Sequence, residues 1–195
     1  MKHGGRAAST QNTVRLIGGR WRGRKIHFPD SEGLRPTPSR VRETLFNWLM
    51  HEVRDARVLD LFAGSGALAF EALSRGAHEA VLIDQSAIVC AQLARELTAL
   101  TGARGQIVKR DAMDFVATHA TAPFDIVFLD PPFHRGLLAP ASAGLENNGF
   151  LRHGSAIYVE SETTPDPAAT PASWRLHRQQ QAGQVCYSLF IRETT

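Results

Sequence analysis

The stretch from Phe124 to Phe133, FDIVFLDPPF, constrains the fold more than any other part of the chain. Its apolar run, residues 126–129, is too short for a helix and rich in strand-forming residues, which is typical of a strand buried on both faces of a parallel sheet. The two prolines that follow cannot donate backbone hydrogen bonds, so the strand ends there in a stiff loop. The sequence therefore predicts that Asp130 and Phe133 lie at the carboxyl edge of a parallel sheet, where open α/β proteins bind ligands.

Strand patterns and helix patterns alternate along most of the chain after residue 57. Five strands are predicted, at 58–62, 80–83, 106–108, 124–129 and 156–159. Helical patterns follow the first three, and such alternation is typical of a parallel sheet with right-handed crossovers. Two more strand patterns, 174–179 and 185–192, have only a turn between them. The expected fold is therefore α/β, with a mostly parallel seven-stranded sheet, an antiparallel C-terminal hairpin and helices on both faces.

Basic residues are concentrated at the start of the chain, although the net charge of the whole protein is only +3. Residues 1–42 hold ten Lys and Arg against two Asp and Glu, which gives +8, whereas residues 43–195 hold twelve against seventeen, which gives −5. This asymmetry favours an arm that binds a polyanion, with a solvated basic tail as the alternative. We expect a disordered basic tail at 1–12, a binding hairpin with a linking helix at 13–50, and the main domain at 51–195.

The predicted arm combines arginines with an aromatic side chain. Residues 14–28 predict two short strands around a glycine-rich turn, and Trp21 lies in that turn among basic residues. Guanidinium groups hold phosphates and an aromatic ring can stack on a base, but Trp21 can equally cover the apolar face of the hairpin. A helix is expected next, with Thr37 or Ser39 as its cap. The residues expected to contact nucleic acid are Arg15, Arg20, Trp21, Arg22, Arg24, Lys25, Arg35 and Arg40.

A glycine turn follows the first strand of the main domain, and Gly64 and Gly66 open the next helix. Glycines let the backbone approach a ligand closely, and a helix start offers free N–H groups. A Walker phosphate loop is excluded because no Lys follows at the required place. A dinucleotide site is weakly supported, since Ala69 occupies the place of the third glycine. S-adenosylmethionine is the remaining ligand, and it has no phosphate to bind.

Acidic residues at the strand ends favour S-adenosylmethionine. Asp84 ends the second strand of the main domain, where a carboxylate can accept both ribose hydroxyls. Asp111 follows the third strand, in a place to accept from the adenine amino group, and Asp130 follows the fourth. An acidic edge suits a cationic sulfonium better than a pyrophosphate.

Several classes of protein are not favoured by the composition. The only two cysteines, Cys90 and Cys186, are far apart and the histidines are scattered, so no metal is expected. No apolar run approaches membrane-spanning length, and the first residues lack the apolar segment of a secretory signal. We expect a monomeric cytoplasmic protein without a membrane partner.

Four segments, VLDLFAGSGA, LID, RDAMDF and IVFLDPPF, resemble motifs of S-adenosylmethionine-dependent amino-methyltransferases. DPPF is similar to the (Asp/Asn)-Pro-Pro-(Phe/Tyr) signature of enzymes that methylate exocyclic nitrogens of nucleobases. A second set of segments resembles the RsmD family, whose members methylate guanine N2 in bacterial small-subunit ribosomal RNA. These segments are VRLIGGRWRGRKI, LRPTPSRVRETLFNWL, FAGSGALAFEALSRGA, DPPFHRGLL, IYVESE and GQVCYSLF. The resemblance extends from Val14 to about Arg192.

The resemblance implies a Rossmann-like class I methyltransferase domain at 51–195, with S-adenosylmethionine as cofactor. It also implies ribosomal RNA as partner, within an assembling small subunit. The family usually has Glu where this chain has Asp84, which is one methylene shorter. The expected cofactor-binding residues are Asp60, Phe62, Ala63, Gly64, Gly66, Asp84, Asp111, Ala112 and Asp130.

The expected catalytic residues are Asp130, Pro131 and Phe133. The lone pair of guanine N2 is delocalised into the ring, so the carboxylate and the proline carbonyl are expected to accept its hydrogens and localise that pair. The aromatic ring can stack on the extruded base. Two other functions stay open. A DNA adenine-N6 methyltransferase shares DPPF but usually carries a separate target-recognition region, and a non-catalytic RNA-binding assembly factor needs no acidic edge.

Overall fold

The computed structural model describes residues 12–30, 34, 36–164 and 169–194. A short antiparallel hairpin comes first, followed by α1 and then by strands that alternate with helices. The elements are β1 (Asn12–Arg15), β2 (Lys25–Phe28), α1 (Ser39–Trp48), β3 (Arg57–Asp60), α2 (Ala67–Ser74), β4 (Glu79–Asp84), α3 (Ala87–Ala99), β5 (Gly105–Lys109), α4 (Ala112–Val116), β6 (Phe124–Leu129), α5 (Leu138–Asn147), β7 (Leu151–Ser161), β8 (Trp174–Ala182) and β9 (Val185–Arg192).

The seven strands from β3 to β9 form one sheet in the order β5-β4-β3-β6-β7-β9-β8. Strands β3 to β7 are parallel to their neighbours, whereas β9 pairs antiparallel with both β7 and β8. The predicted fold class is thus confirmed, including the antiparallel C-terminal hairpin and the separate N-terminal hairpin. Because the five parallel strands end at one edge, the side chains that follow them meet there.

Two apolar clusters cover the two faces of the sheet. One face packs against α1, α2 and α3 through residues such as Val41, Ala69 and Leu93. The other packs against α4 and α5 through residues such as Val116 and Leu145. The central strands are therefore buried on both sides, which explains their continuous apolar runs. No helix of the described residues is long and apolar enough to cross a membrane.

The N-terminal hairpin packs onto the first of these faces. Its inward side chains, Val14, Leu16, Ile26 and Phe28, belong to the same apolar cluster as α1 and α2. The turn that follows β1 is held by Glu71 of α2, whose carboxylate accepts from the backbone N–H groups of residues 17 and 18 at 2.8 Å each. The hairpin is thus anchored to the main domain by both apolar and polar contacts. The predicted tail, residues 1–12, lies almost wholly outside the described residues.

A fully buried arginine completes this anchor. Arg42 of α1 donates to the Glu71 carboxylate at 3.3 Å, to the Arg15 carbonyl at 3.1 Å and to the Thr37 carbonyl at 3.1 Å. It also donates to the Ser39 hydroxyl at 3.2 Å. Arg42 therefore joins the hairpin, α2 and the segment before α1, and it is not part of the exposed charge of the arm.

The expected cap of α1 is wrong. Pro38 occupies the N-cap position and no side chain accepts from the helix N–H groups. The Ser39 hydroxyl accepts from Arg42, and the Thr37 side chain lies beside the carboxyl group of Glu160, near the end of β7, and lowers its pKa. Tertiary contacts have therefore taken both side chains that sequence reasoning assigned to the cap.

Candidate active site

The carboxyl edge of the parallel strands collects acidic side chains, as the sequence predicts. Asp60 and Asp84 are the last residues of β3 and β4, and Asp130 directly follows β6. Asp111 lies two residues after β5, and Glu160 lies near the end of β7. Since all five strands are parallel, these carboxyl groups share one edge of the sheet.

The glycine turn between β3 and α2 lies at this edge. Gly64 and Gly66 have φ values of +49° and +72°, a region that favours glycine. A Cβ on Gly66 would lie 2.5 Å from a ring carbon of Phe70, so glycine is required for packing. A Cβ on Gly64 would meet nothing closer than Leu34, at 3.8 Å. At Gly64 it is therefore the positive φ, and not crowding, that favours glycine.

Asp84 connects this turn to the next strand. Its carboxylate accepts from the backbone N–H of Gly64 at 3.1 Å and from that of Ser86 at 2.8 Å. Burial raises the pKa of Asp84, while these two hydrogen bonds oppose the shift. The carboxylate keeps further lone pairs for a ligand beside Gly64, such as a ribose diol.

We expect the substitution Asp84→Ala to weaken binding of S-adenosylmethionine by about 1–3 kcal/mol, because hydroxyl groups of the ligand would lose a buried acceptor. Calorimetric titration of the cofactor measures the change. Asp114→Ala, which removes an exposed carboxylate from α4, is the matched control and should leave the affinity as it is. Equal affinities of wild type and Asp84→Ala would remove Asp84 from the site.

Asp111 has a local role at the same edge. Its Oδ1 accepts from the N–H groups of Met113 and Asp114, at 2.7 and 3.2 Å, and so caps α4. Both hydrogen bonds go to one oxygen, and the side chain is exposed. The role of Asp111 as acceptor of the adenine amino group stays a prediction. Ala112 is buried and Phe62 is half-buried beside this edge.

Asp130, Glu160 and Asp60 lie on one face of the sheet. The register pairs Leu129 with Val159, which places Asp130 beside Glu160 on the neighbouring strand. It also pairs Asp60 with Phe128, two residues before Asp130, so all three side chains point towards the α1 and α2 layer. Glu160 and Asp60 are 4% and 3% exposed, and Asp130 is half-buried.

Burial raises the pKa values of all three carboxyl groups, and neighbouring carboxylates add to the shift for Asp130 and Asp60. Burial raises the pKa of Asp130 well above its usual range, and the charges of Glu160 and Asp60 raise it further. Burial raises the pKa of Asp60 to about 7, against a backbone hydrogen bond from Ala69. Burial also raises the pKa of Glu160, opposed by hydrogen bonds from Tyr158 and Thr37. Perturbed carboxyl groups at a ligand-binding edge are typical of a functional site.

The loop after Asp130 has a defined backbone that presents an aromatic ring. Pro131 is buried, whereas Phe133 is 39% exposed although it is large and apolar. His134 has a φ of +58°, and its backbone N–H donates to the carboxylate of Glu162, which follows β7. The ring of Phe133 is therefore held at the sheet edge, free to stack on a planar ligand.

Most of the basic residues that are predicted to contact nucleic acid are exposed. The turn between β1 and β2, however, lies far from the acidic edge. The backbone N–H of Arg20 donates to the Ser74 carbonyl and that of Trp21 to the Ser74 hydroxyl, at the C-terminal end of α2. Since α2 begins at the acidic edge and has eight residues, the turn lies about 12 Å from that edge. The exposed basic residues are Arg15, Arg20, Arg22, Arg24, Lys25 and Arg40.

Trp21 covers the apolar face of the hairpin, one of the two roles that the sequence left open, and stacking on a base stays a prediction. Its ring is partly buried against the apolar cluster, and the guanidinium of Arg20 lies 5.6 Å from the ring centroid. Arg35 lies outside the described residues. Three further exposed cations lie at the acidic edge and were not predicted from the sequence: Lys109 ends β5, Arg110 follows it, and Arg135 lies in the loop after β6. Their positions after predicted strands were the available signal.

Comparison with known proteins gives a consistent result. The family model described as "Conserved hypothetical protein 95" matches residues 14–191. "Ribosomal RNA small subunit methyltransferase D" of Escherichia coli strain K12 is 52% identical over 185 residues, which is 95% of this chain and 93% of that protein.

Solved structures agree with these matches. A putative methyltransferase from Escherichia coli superposes with a TM-score of 0.85 at 50% identity, covering 94% of this chain and 100% of that chain. The 16S rRNA N2 G1207 methyltransferase of Thermus thermophilus, solved with AdoMet and guanosine, superposes with a TM-score of 0.64. Its identity is 24%, over 94% of this chain and 50% of that one, and it supports the fold alone.

Proposed function

The chain belongs to the RsmD family, the family of ribosomal RNA small subunit methyltransferases D, and we propose that it methylates the exocyclic N2 of a guanine in bacterial small-subunit ribosomal RNA. The methyl donor is S-adenosylmethionine, and a small subunit under assembly in the cytoplasm is the proposed substrate. The observation that carries the proposal is the pair of Asp130 and the exposed Phe133 on a Pro-Pro loop, at the same sheet edge as the glycine turn.

Each part of the acidic edge has a place in this reaction. The turn at Gly64 and the carboxylate of Asp84 hold the cofactor, which supplies an electrophilic methyl group on a sulfonium. Asp130 and the carbonyl of Pro131 accept the two N2 hydrogens and localise the nitrogen lone pair for in-line attack. Phe133 stacks on the extruded base. The proton leaves N2 after the methyl group is transferred, and the pKa of Asp130, raised by burial, suits that carboxylate to receive it.

The charge pattern supports an RNA substrate. The outward face of the hairpin carries Arg15 and Lys25, which are register partners, and its turn carries exposed arginines. We propose that this arm, within residues 13–50, holds RNA phosphates while the domain at 51–195 binds cofactor and base. An RNA strand or helix can span the distance of about 12 Å between the turn and the acidic edge.

Reversing three charges on the arm should weaken RNA binding. With Arg20, Arg22 and Arg24 changed to Glu, we expect the salt dependence of RNA binding to fall by roughly one unit per lost phosphate contact, about equally for different sequences. Filter binding at several salt concentrations measures the slope, and cofactor affinity should hold. Reversal of the exposed Arg54 and Arg178 is the control. If the triple variant binds RNA like wild type, phosphates are held elsewhere.

Methyl incorporation tests the proposed function. Small subunits and naked ribosomal RNA are prepared from bacteria that lack their own family member, and are incubated with the protein and tritiated S-adenosylmethionine. We expect incorporation to reach one methyl group per subunit, with none into double-stranded DNA. Incorporation into DNA would favour the adenine-N6 alternative, and tight RNA binding without incorporation would favour an assembly factor.

A further inference from the structure

Glu160 lies on the side of Asp130 that faces away from the cofactor site. The glycine turn follows β3 and Asp84 ends β4, so the proposed cofactor lies over those two strands. In the sheet, β6 lies beside β3 on the side away from β4, and β7 lies beside β6. Asp130 and Glu160 are neighbours across β6 and β7. For in-line transfer the amine must approach the methyl group from the side opposite the sulfur. The target base therefore lies over the ends of β6 and β7.

The carboxyl group of Glu160 is fixed in place but keeps acceptor capacity. The hydroxyl of Tyr158 donates to its Oε1 at 2.9 Å, and the side chain of Thr37 lies beside the same carboxyl group and lowers its pKa. A carboxylate offers about four lone-pair positions, so even two hydroxyl donors leave further positions open. Tyr158 is itself fully buried, with its ring edge-on to Phe128 at 6.3 Å.

No cation of the described residues pairs with either of these carboxyl groups, or with that of Asp60. A buried carboxylate without a full set of donors is costly. A ligand that brings two N–H groups side by side would relieve the cost, since parallel strands are about 4.8 Å apart and their carboxylates can bracket such an edge.

The Watson–Crick edge of guanine brings two such N–H donors side by side. It presents N1–H and the N2 amine as adjacent donors, whereas the N1 atom of adenine is an acceptor. We propose that Glu160 accepts the N1–H of the target guanine, next to the N2 amine held by Asp130, and thereby selects guanine over bases whose N1 is an acceptor. This inference rests on the proposed function. It gives the reaction a specificity residue outside the Asp-Pro-Pro-Phe loop.

The test uses a base that keeps the N2 amine but changes N1. 2-Aminopurine has the same amine, yet its N1 is an acceptor. After the methylated position has been mapped, the small-subunit RNA is rebuilt by ligation with guanosine or 2-aminopurine riboside at that position and assembled into subunits. Wild type, Glu160→Gln and Glu160→Asp are then compared by kcat/KM on both substrates. Every enzyme form meets the same missing O6 in the 2-aminopurine substrate, so that effect cancels when the ratio of the two values is compared between wild type and the variants.

Wild type should prefer the guanosine substrate. In Glu160→Gln the carboxamide can donate to N1, so the ratio of 2-aminopurine to guanosine activity should rise roughly tenfold or more, the effect of re-pairing one buried hydrogen bond. Glu160→Asp keeps the charge and should lose rate without a change in this ratio. Glu43→Gln, an exposed carboxylate on α1, is the matched control. Melting temperature and cofactor affinity show that each variant is folded.

If Glu160 served only to position Thr37, its substitution would lower the rate on both substrates equally. An unchanged ratio in Glu160→Gln therefore overturns the proposal, as does a ratio in Glu160→Asp that rises as in a neutral variant. If Glu160→Gln does not fold, Glu160→Ala takes its place: without the acceptor for N1–H its ratio of 2-aminopurine to guanosine activity should rise, and an unchanged ratio overturns the proposal. A wild-type protein that produces no N2-methylguanosine would instead contradict the proposed function, whatever the variants do.

Discussion

Asp130→Ala is expected to remain folded and to lose methyl transfer by about 10²-fold or more, the effect of removing a positioned acid–base group. The amine would lose the acceptor that localises its lone pair, while the glycine turn and Asp84 would stay in place. Single-turnover transfer to small subunits measures the rate, and calorimetry should give the cofactor affinity of wild type. Asp130→Asn is the matched control, because its amide oxygen still accepts one hydrogen and it should retain intermediate activity.

Stability separates a chemical role of Asp130 from a structural one. A carboxyl group with a raised pKa stabilises the fold below its unfolded pKa of about 4, and this contribution is lost as the pH rises through the folded pKa. At pH 8 the Asp130→Ala variant should therefore be at least as stable towards urea as wild type. Near wild-type turnover in this variant would refute the activation of the amine, and a large loss of stability would assign Asp130 to folding.

The second large effect concerns the buried arginine of α1. Arg42→Met is expected to lower the free energy of unfolding by about 3–5 kcal/mol, because it breaks a buried ion pair and strips donors from buried acceptors. The loss includes the bond to Glu71 and those to the carbonyls of Arg15 and Thr37. Urea denaturation followed by circular dichroism gives the value.

Arg40→Met is the control for this prediction. Arg40 lies two positions earlier on the same helix and is exposed, so its loss should change the stability by no more than about 0.5 kcal/mol. A similar, small effect of both substitutions would show that the hairpin is held by apolar packing alone. If Arg42→Met is strongly destabilised, the polar anchor is what fixes the arm to the catalytic domain.

The strand ends could be predicted because local sequence determines them. In β6 the apolar run stops at a carboxylate and two prolines, and in β4 it stops at Asp84, so each position follows from burial and backbone chemistry alone. The start of β7 could not be placed in this way. Residues 152–154 belong to β7 but are exposed. The apolar run that predicts this strand begins only at Ala156.

The polar anchor could not be predicted, since its partners are distant in sequence. Arg42 lies in a segment rich in arginine, where solvation is the ordinary expectation, and its burial depends on Glu71, 29 residues away. The same holds for Thr37, whose hydroxyl suits a helix cap locally but whose side chain lies beside Glu160 across the fold. Helix α5 was not predicted either, because its Ala-rich sequence with Pro140 has no clear helical period.

The identity of the methylated nucleoside tests the central claim most directly. Small subunits labelled by the protein with tritiated S-adenosylmethionine are digested to nucleosides and separated by chromatography with mass detection. The acidic edge, the Asp-Pro-Pro-Phe loop and the family all predict that the label is found in N2-methylguanosine. Label in N6-methyladenosine, or in a methyl group on a ring nitrogen or a ribose, would contradict the account.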